Sequence, residues 1–140
     1  MLAFRSLGMG SRSRMRATRA LFIKHGAEST PEGRSLRRLR EWLSQAQREQ
    51  LARKGYFEVI GNESGSQYRV YAGTSGNVCV VDERDHPQEG LCFMPVGSLP
   101  IGDVMLAQKI ALETCEAHVR AVAKGFTPSR FHFRQARLLG

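Results

Sequence analysis

The sequence predicts a small α+β domain, in which an antiparallel meander of three to four strands packs against a C-terminal helix and follows a basic helical segment. Apolar residues recur at helical spacing early in the chain, alternate with polar residues in its middle, and recur at helical spacing near its end. Because 140 residues bury one modest core, we predict a single domain over residues 29–126. A basic flexible arm over residues 1–28 precedes it, and a basic aromatic tail over residues 127–140 follows it.

The helical segment begins at residues 29–32, which read STPE and combine cap residues, a proline suited to a first helical turn and a carboxylate near the positive helix end. Apolar residues then recur at helical spacing: Leu36, Leu39, Leu43 and Ala46. Ser44 and Gln47 match a second capping box, so the segment is either one long helix or two short helices with a kink at Ser44. Gly55 is predicted to end it, because glycine suits the left-handed cap conformation.

The meander is predicted from three runs of β-branched and aromatic residues: YFEVIG at residues 56–61, QYRVYA at residues 67–72 and NVCVVD at residues 77–82. The segments between them, NESGS and GTSG, are typical of hairpin turns. LCFM at residues 91–94 is predicted to form a short fourth strand. The alternation places one face of the sheet on a core and leaves the other partly wet, with Tyr56 and Tyr71 able to stack there on unpaired bases.

The C-terminal helix is predicted over residues 103–124, with Asp103 as its N-cap and Gly125 as its C-terminal cap. The stripe that faces the sheet is predicted to contain Ala107, Ile110, Ala111, Thr114, His118 and Val122. Gln108 and Lys109 lie about 100° apart around the helix, so we expect at least one of them to face water and predict a surface site there. The tail is compatible with an edge strand, a short helix or extended chain.

The net charge of +8 is distributed unevenly along the chain. Residues 1–54 carry +9, residues 55–124 carry −4 and residues 125–140 carry +3. Clustered Lys and Arg attract phosphate with little regard to base sequence, so the basic N-terminal half predicts contact with nucleic acid or another polyanion. The arginines predicted to make this contact are Arg12, Arg14, Arg16, Arg19, Arg34, Arg37, Arg38 and Arg40.

A protein-interaction module is the alternative prediction. Four large apolar residues exceed what a short surface helix needs: Leu36, Leu39, Trp42 and Leu43. They dock either on the domain's own sheet or on another chain, and the second case predicts a homodimer or a protein partner. No apolar run approaches the roughly 18 residues of a membrane span, so we predict no membrane contact. We also predict no small-molecule ligand.

We expect a protein that is not an enzyme and that binds no metal or other cofactor. The residues with metal-ligating chemistry are Cys79, Cys92, Cys115 and His118, and they converge only if Cys79 faces Cys92 across a hairpin. Structural zinc sites bring their cysteines in closely spaced pairs, whereas these are isolated, so packing is the favoured explanation. The turns GNESGS and GTSGN lie between strands and lack the helix N-terminus that binds phosphate.

Three cysteines without a secretory signal predict reduced thiols and a cytoplasmic protein. The first 27 residues also have the composition of an organellar transit peptide, with six basic residues and no acid. An arm, a targeting segment and a gene-model artefact all stay open as interpretations of residues 1–28.

A longer series of motifs runs from the second capping box to the C-terminal helix. Its residues are Ser44, Gln47, Arg48, Gly55, Phe57, Val59, Gly61, Tyr68, Arg69, Val70, Gly76, Asn77, Val78, Leu91, Cys92, Pro95, Leu99, Pro100, Gly102, Asp103, Val104, Leu106, Ala107, Gln108 and Lys109. In this order, over residues 42–126, they resemble a short domain of bacterial and phage proteins for which no activity is known. The resemblance implies a domain boundary near Leu43 and implies no cofactor or catalytic residue.

Overall fold

The computed structural model describes residues 30–129, 132 and 133, and the arm predicted over residues 1–28 lies outside them. The elements of the described part are α1 (Pro31–Trp42), α2 (Gln45–Lys54), β1 (Tyr56–Ile60), β2 (Gln67–Tyr71), β3 (Val78–Val81), β4 (Pro87–Cys92), α3 (Ile101–Thr114), α4 (Glu116–Val122) and β5 (Lys124–Phe126). The predicted α+β class is confirmed. The sheet has one strand more than predicted, because the segment taken for the end of the last helix and its cap forms β5.

The two N-terminal helices begin and end at the residues that the sequence indicates. The side chain of Thr30 accepts a hydrogen bond from the Gly33 amide at 3.0 Å and caps α1. Ser44 and Gln47 form a complete capping box, so the alternative of two short helices with a kink at Ser44 is confirmed. Gly55 ends α2 with φ of 75°, a conformation that favours glycine.

The five strands form one antiparallel sheet in the order β1-β2-β3-β4-β5. One face of the sheet, here called the helix face, packs on the helices. Its core contains Leu39, Leu43, Leu51, Phe57, Val59, Tyr68, Val70, Val78, Leu91, Met105, Leu112 and Val119. The other face, here called the aromatic face, carries a second cluster made of Tyr56, Tyr71, Cys79, Val81, Phe126 and Phe133. The pleat therefore sorts alternate strand residues into two separate cores.

Helix α2 closes the free edge of β1. The Gln47 side chain donates to the carbonyl of Glu58 at 2.8 Å, and the Glu58 amide donates to the Gln50 side chain at 2.9 Å. An edge strand has backbone amides and carbonyls that can pair with other chains. These two glutamines bond to the amide and the carbonyl of Glu58, which would otherwise be unpaired at the edge.

Helix α1 packs directly on α3. A side chain at Gly102 would overlap the backbone of Ser35, and the Gly102 amide instead donates to the Ser35 hydroxyl at 3.2 Å. Leu36 and Leu39 are fully buried. The boundary near Leu43 that the resemblance implies is therefore not a structural boundary, because α1 forms part of the same folded unit.

The predicted C-terminal helix differs from the structure at both ends and in its buried face. It begins at Ile101, so Pro100 occupies the N-cap and Asp103 lies in the first turn, and it breaks at Cys115. Ile110 and Val122, predicted to face the sheet, are 40% and 54% exposed. The buried residues of α3 are Gly102, Val104, Met105, Gln108, Lys109 and Leu112. The predicted stripe is wrong because the sheet and α1 cover α3 on two different sides. The buried surface of α3 therefore includes residues that a single sheet-facing stripe leaves out.

The chain after α4 returns to the sheet as β5, and Phe133 of the tail packs on the aromatic face. Gly90 of β4 has no side chain, which leaves room for the ring of Phe126 on β5. Phe133 is buried against Tyr71, with ring centroids 5.0 Å apart. Among the described residues, none of the helices combines the length and apolar character that a membrane span requires.

Candidate functional site

The predicted basic surface divides into residues that the structure describes and residues outside it. Arg12, Arg14, Arg16 and Arg19 lie outside the described residues. On α1, the Arg37 guanidinium pairs with Glu41 at 3.2 Å. Arg38 forms a two-pronged ion pair with Asp103, at 2.9 and 3.0 Å. Arg34 is exposed and Arg40 is half-buried.

The described domain is balanced in charge. Residues 30–129 contain 12 Lys and Arg and 12 Asp and Glu. The net charge of +8 therefore comes from the flanking segments, with +5 from residues 1–29 and +3 from residues 130–140. The arginines of α1 do not make this domain electropositive, because acidic side chains elsewhere in the fold offset them.

The apolar surface predicted on α1 is mostly interior. Leu36, Leu39 and Leu43 are buried within this chain, so the alternative in which they dock on the domain itself holds. They cannot form a homodimer or partner surface without unfolding the core. Trp42 is the exception, with 64% of its surface exposed at the end of α1.

Gln108 belongs to a buried amide network. Its side chain and that of Asn77 exchange two hydrogen bonds of 2.9 Å, and Gln108 also donates to the carbonyl of Phe93 at 3.0 Å. Asn77 donates in turn to the carbonyls of Tyr71 and Gly73. The network joins α3 to the β2–β3 turn and to the chain after β4.

Lys109 is buried as well, so the expectation that at least one of the two residues faces water is wrong. Gln108 is 1% exposed and Lys109 is 9% exposed. Gln108 points toward the sheet, whereas Lys109 lies two helical turns after Gly102, on the side that meets α1. Its ammonium group pairs with Glu113 on the same helix. Gln108 and Lys109 are therefore both buried, each with its own polar partners, where a surface site was predicted.

The most organised polar site is one that the sequence did not indicate, the buried carboxylate of Glu116. The β1–β2 turn supplies three donors, the amides of Glu63 at 2.9 Å and Ser64 at 2.7 Å and the Ser64 hydroxyl, and strand β2 supplies the Tyr68 hydroxyl at 2.5 Å. Burial raises the pKa of Glu116, but the hydrogen bonds from Ser64, Tyr68 and Glu63 outweigh burial and lower the pKa to about 2.

The same turn holds the backbone where α3 gives way to α4. The Glu116 amide donates to the Asn62 side chain at 2.9 Å, and that side chain donates to the Thr114 carbonyl at 3.2 Å. The Asn62 amide donates to the Leu112 carbonyl, also at 3.2 Å. A side chain at Gly61 would overlap the Glu116 carboxylate, which explains the glycine. The turn GNESGS thus holds a carboxylate of the chain itself, through successive backbone amides and without a helix N-terminus.

A cleft of about 210 Å³ opens beside this carboxylate. It is lined by Glu63, Ser64, Ser66, Tyr68, Val80, Glu116, Ala117 and Arg120. The pKa of Tyr68 is raised to about 12, mainly by burial and secondly by the hydrogen bond to Glu116. General acid–base catalysis works best with a pKa near the operating pH, and the pKa values of Glu116 and Tyr68 are far from neutrality in opposite directions. The arrangement fits a structural anchor better than a reactive pair.

The aromatic face buries a cation. The Arg69 guanidinium lies 4.5 Å from the centre of the Tyr56 ring and pairs with Asp85 of the β3–β4 turn. Glu58, on the neighbouring strand, is 3.9 Å from Arg69. Tyr56 and Tyr71 are buried in this cluster, so the prediction that they lie on a wet face and stack on bases is wrong for the folded domain.

The cysteines do not converge. Cys79 lies opposite Gly90, and Cys92 lies opposite Lys124, so the register that would bring the two thiols together is wrong. Cys115 is exposed at the break between α3 and α4. Within residues 30–129, 132 and 133, no group of three or more His, Cys, Asp or Glu side chains is placed to hold a metal ion. Burial raises the pKa of the Cys79 thiol to about 12, which makes it a poor nucleophile.

Comparison of this chain with known protein families, curated proteins and solved structures gives no match. The resemblance to a domain of bacterial and phage proteins stays a prediction.

We expect Gln108→Met to lower the free energy of unfolding by about 2 to 3 kcal/mol, because the Asn77 side chain and the Phe93 carbonyl lose buried partners. Gln45→Met on the exposed side of α2 is the matched control and should change stability by less than about 0.5 kcal/mol. Urea denaturation measures both. Equal effects of the two substitutions would contradict the network.

Glu116→Gln should lower the free energy of unfolding at neutral pH by about 3 kcal/mol, since the pKa falls from 4.5 to about 2 on folding. A lowered folded pKa stabilises the protein above the unfolded value, so this contribution is complete above pH 4.5 and disappears as the pH falls toward 2. Urea denaturation of the wild type and of Glu116→Gln across this pH range measures how the difference in their free energies of unfolding changes with pH.

Glu63→Gln is the matched control for Glu116→Gln, because only the backbone of Glu63 takes part in the site. It should leave the pH dependence of stability close to that of the wild type. A difference between wild type and Glu116→Gln that does not vary with pH would show that the charge of Glu116 is not what the turn binds.

Proposed function

We propose that this protein is a small, non-enzymatic binding module that contacts nucleic acid, or another polyanion of similar charge density, through the basic segments that flank its domain. The observation that carries the proposal is the separation of charge. The domain between residues 30 and 129 is neutral, whereas residues 1–29 and 130–140 hold the whole net charge of +8.

The ion pairs of Arg37 and Arg38 on α1 guide our choice among the eight predicted arginines. Arg38 is committed to Asp103, and Arg37 to Glu41, so a phosphate at either site would have to displace a carboxylate. Arg12, Arg14, Arg16 and Arg19 lie in a segment that contains a single acidic residue, Glu28. We therefore assign the main phosphate contacts to these four arginines.

The physics of such contacts predicts a strong response to salt. A cation that neutralises a phosphate releases a condensed counterion, and the gain in entropy falls as the salt concentration rises. The free energy of counterion release depends little on base sequence. The proposal is thus for contact with the backbone of DNA or RNA rather than for readout of a particular site.

Replacing Arg12, Arg14, Arg16 and Arg19 together by Gln should weaken binding to duplex DNA or single-stranded RNA at low salt by about tenfold or more. On duplex DNA, the slope of log affinity against log salt should fall by about 0.9 for each phosphate that the protein no longer neutralises. Fluorescence anisotropy with labelled oligonucleotides at two salt concentrations measures both quantities, and labelled heparin tests whether a non-nucleic polyanion binds equally well.

The matched control removes the same charge from the folded surface, by replacing Arg37, Arg53, Lys54 and Arg84 with Gln. All four side chains are exposed. Because charges on the domain are screened from a ligand held by the flanking segments, the control should weaken binding by no more than about threefold. Equal effects in the two variants would move the binding surface to the domain, and no binding by the full chain at low salt would overturn the proposal.

A further inference from the structure

The aromatic face of the sheet is buried although the helices lie on the other face. The core of the helix face includes side chains from α1, α2, α3 and α4, whereas the cluster on the aromatic face has no member from these helices. Tyr56, Tyr71 and Cys79 are nevertheless no more than 2% exposed. Phe133 is the described member of this cluster that comes from outside the sheet. The tail therefore supplies at least part of the cover.

Two tail residues show the path of the chain over this face. The His132 Nε2 atom lies 2.8 Å from the carbonyl oxygen of Gly76, in the β2–β3 turn. Phe133 packs on Tyr71, the last residue of β2, with ring centroids 5.0 Å apart. The step from His132 to Phe133 thus leads from the rim of the sheet inward, along β2 and against the direction of that strand.

Arg69 is the next residue on this path. It lies two residues before Tyr71 on β2, on the same face of the sheet. Alternate residues of an extended chain share a face and are about 7 Å apart. An extended tail therefore brings Gln135 level with Arg69, just as Phe133 is level with Tyr71.

Arg69 and Glu58 present two unsatisfied polar atoms at that point. Arg69 Nε and Glu58 Oε2 are 3.9 Å apart, too far for a direct hydrogen bond, and both are buried without a hydrogen-bond partner in the part of the chain that the structure describes. Buried polar atoms rarely lack a partner. A primary amide suits both atoms, because its carbonyl accepts from a guanidinium and its NH₂ group donates to a carboxylate. Gln135 is the only amide side chain in residues 130–140.

We propose that residues 132–140, here called the tail strap, dock on the aromatic face, with Phe133 as the apolar anchor and the Gln135 side chain as a bridge between Arg69 and Glu58. The length of the chain permits this arrangement. Seven residues follow Phe133 and span up to about 23 Å when extended, whereas neighbouring strands such as β1 and β2 are about 4.8 Å apart.

The tail is a better occupant of this face than the N-terminal arm. The arm joins the domain at Thr30, at the start of α1, which packs on α3 on the helix side of the sheet, whereas the tail already contacts Tyr71. The tail strap does not depend on the proposed nucleic-acid contact, because the four arginines assigned to phosphate lie in the arm. Docking would make the tail part of the folded unit and leave the arm as the segment available to phosphate.

The test is the rate at which N-ethylmaleimide alkylates Cys79 in the native full chain, mapped by mass spectrometry with the exposed Cys115 as internal reference. Cys79 is fully buried and lies opposite Arg69 in the sheet. Phe133→Ala should raise the rate at Cys79 relative to Cys115 by at least about tenfold, because the anchor is lost. Gln135→Glu should raise it by at least about threefold, because the new carboxylate meets Glu58 in a buried site.

Gln45→Glu is the matched control, since it adds the same charge to the exposed surface of α2 and should leave the rate unchanged. Glu58→Gln combined with Gln135→Glu should recover most of the wild-type rate, because the carboxylate and the amide are restored with their positions exchanged. Far-UV circular dichroism checks that each variant is folded.

Two results would overturn the tail strap. One is a rate in Gln135→Glu equal to that in Gln45→Glu, which would leave the arm as the alternative cover of the aromatic face. The other is a double variant in which Cys79 is alkylated as fast as in Gln135→Glu alone, which would show that Gln135 and Glu58 are not in contact.

Discussion

The carboxylate of Glu116, held by the β1–β2 turn, is the group on which the arrangement of helices over the sheet depends. A buried carboxylate without partners would be costly, so its place is fixed by the donors that surround it: two backbone amides and two hydroxyls. The Asn62 side chain donates to the Thr114 carbonyl and accepts from the Glu116 amide, so it holds the backbone on either side of Cys115. The turn therefore determines where α3 stops, where α4 starts and, through α4, where β5 can join the sheet.

Local patterns were enough to predict the parts of the fold that depend on local chemistry. The capping box at Ser44, the stop at Gly55 and the first three strands lie where the sequence indicates. Each depends on contacts within a few residues or on a simple period.

The parts that depend on distant contacts were not predictable in this way. Asp103 has the chemistry of an N-cap, but its carboxylate binds Arg38, which lies 65 positions earlier in the chain. Gln108 looks like a surface residue until Asn77, 31 positions away, supplies its partner. Glu116 gave no signal, because an acidic residue near a helix is ordinary and its ligands lie in a turn between two strands. A sequence pattern shows which faces of a helix are apolar, but it does not show how many faces the fold covers.

The proposed function fits one physical picture. The domain is neutral and closely packed, and its polar networks fix its shape, while the flanking segments hold the charge.

The most direct test of the central claim is an NMR titration of the Glu116 side-chain carboxyl. We expect a midpoint of about 2, with the amide signals of Glu63 and Ser64 shifting at the same midpoint; a midpoint near 4.5 with those amides unmoved would contradict it.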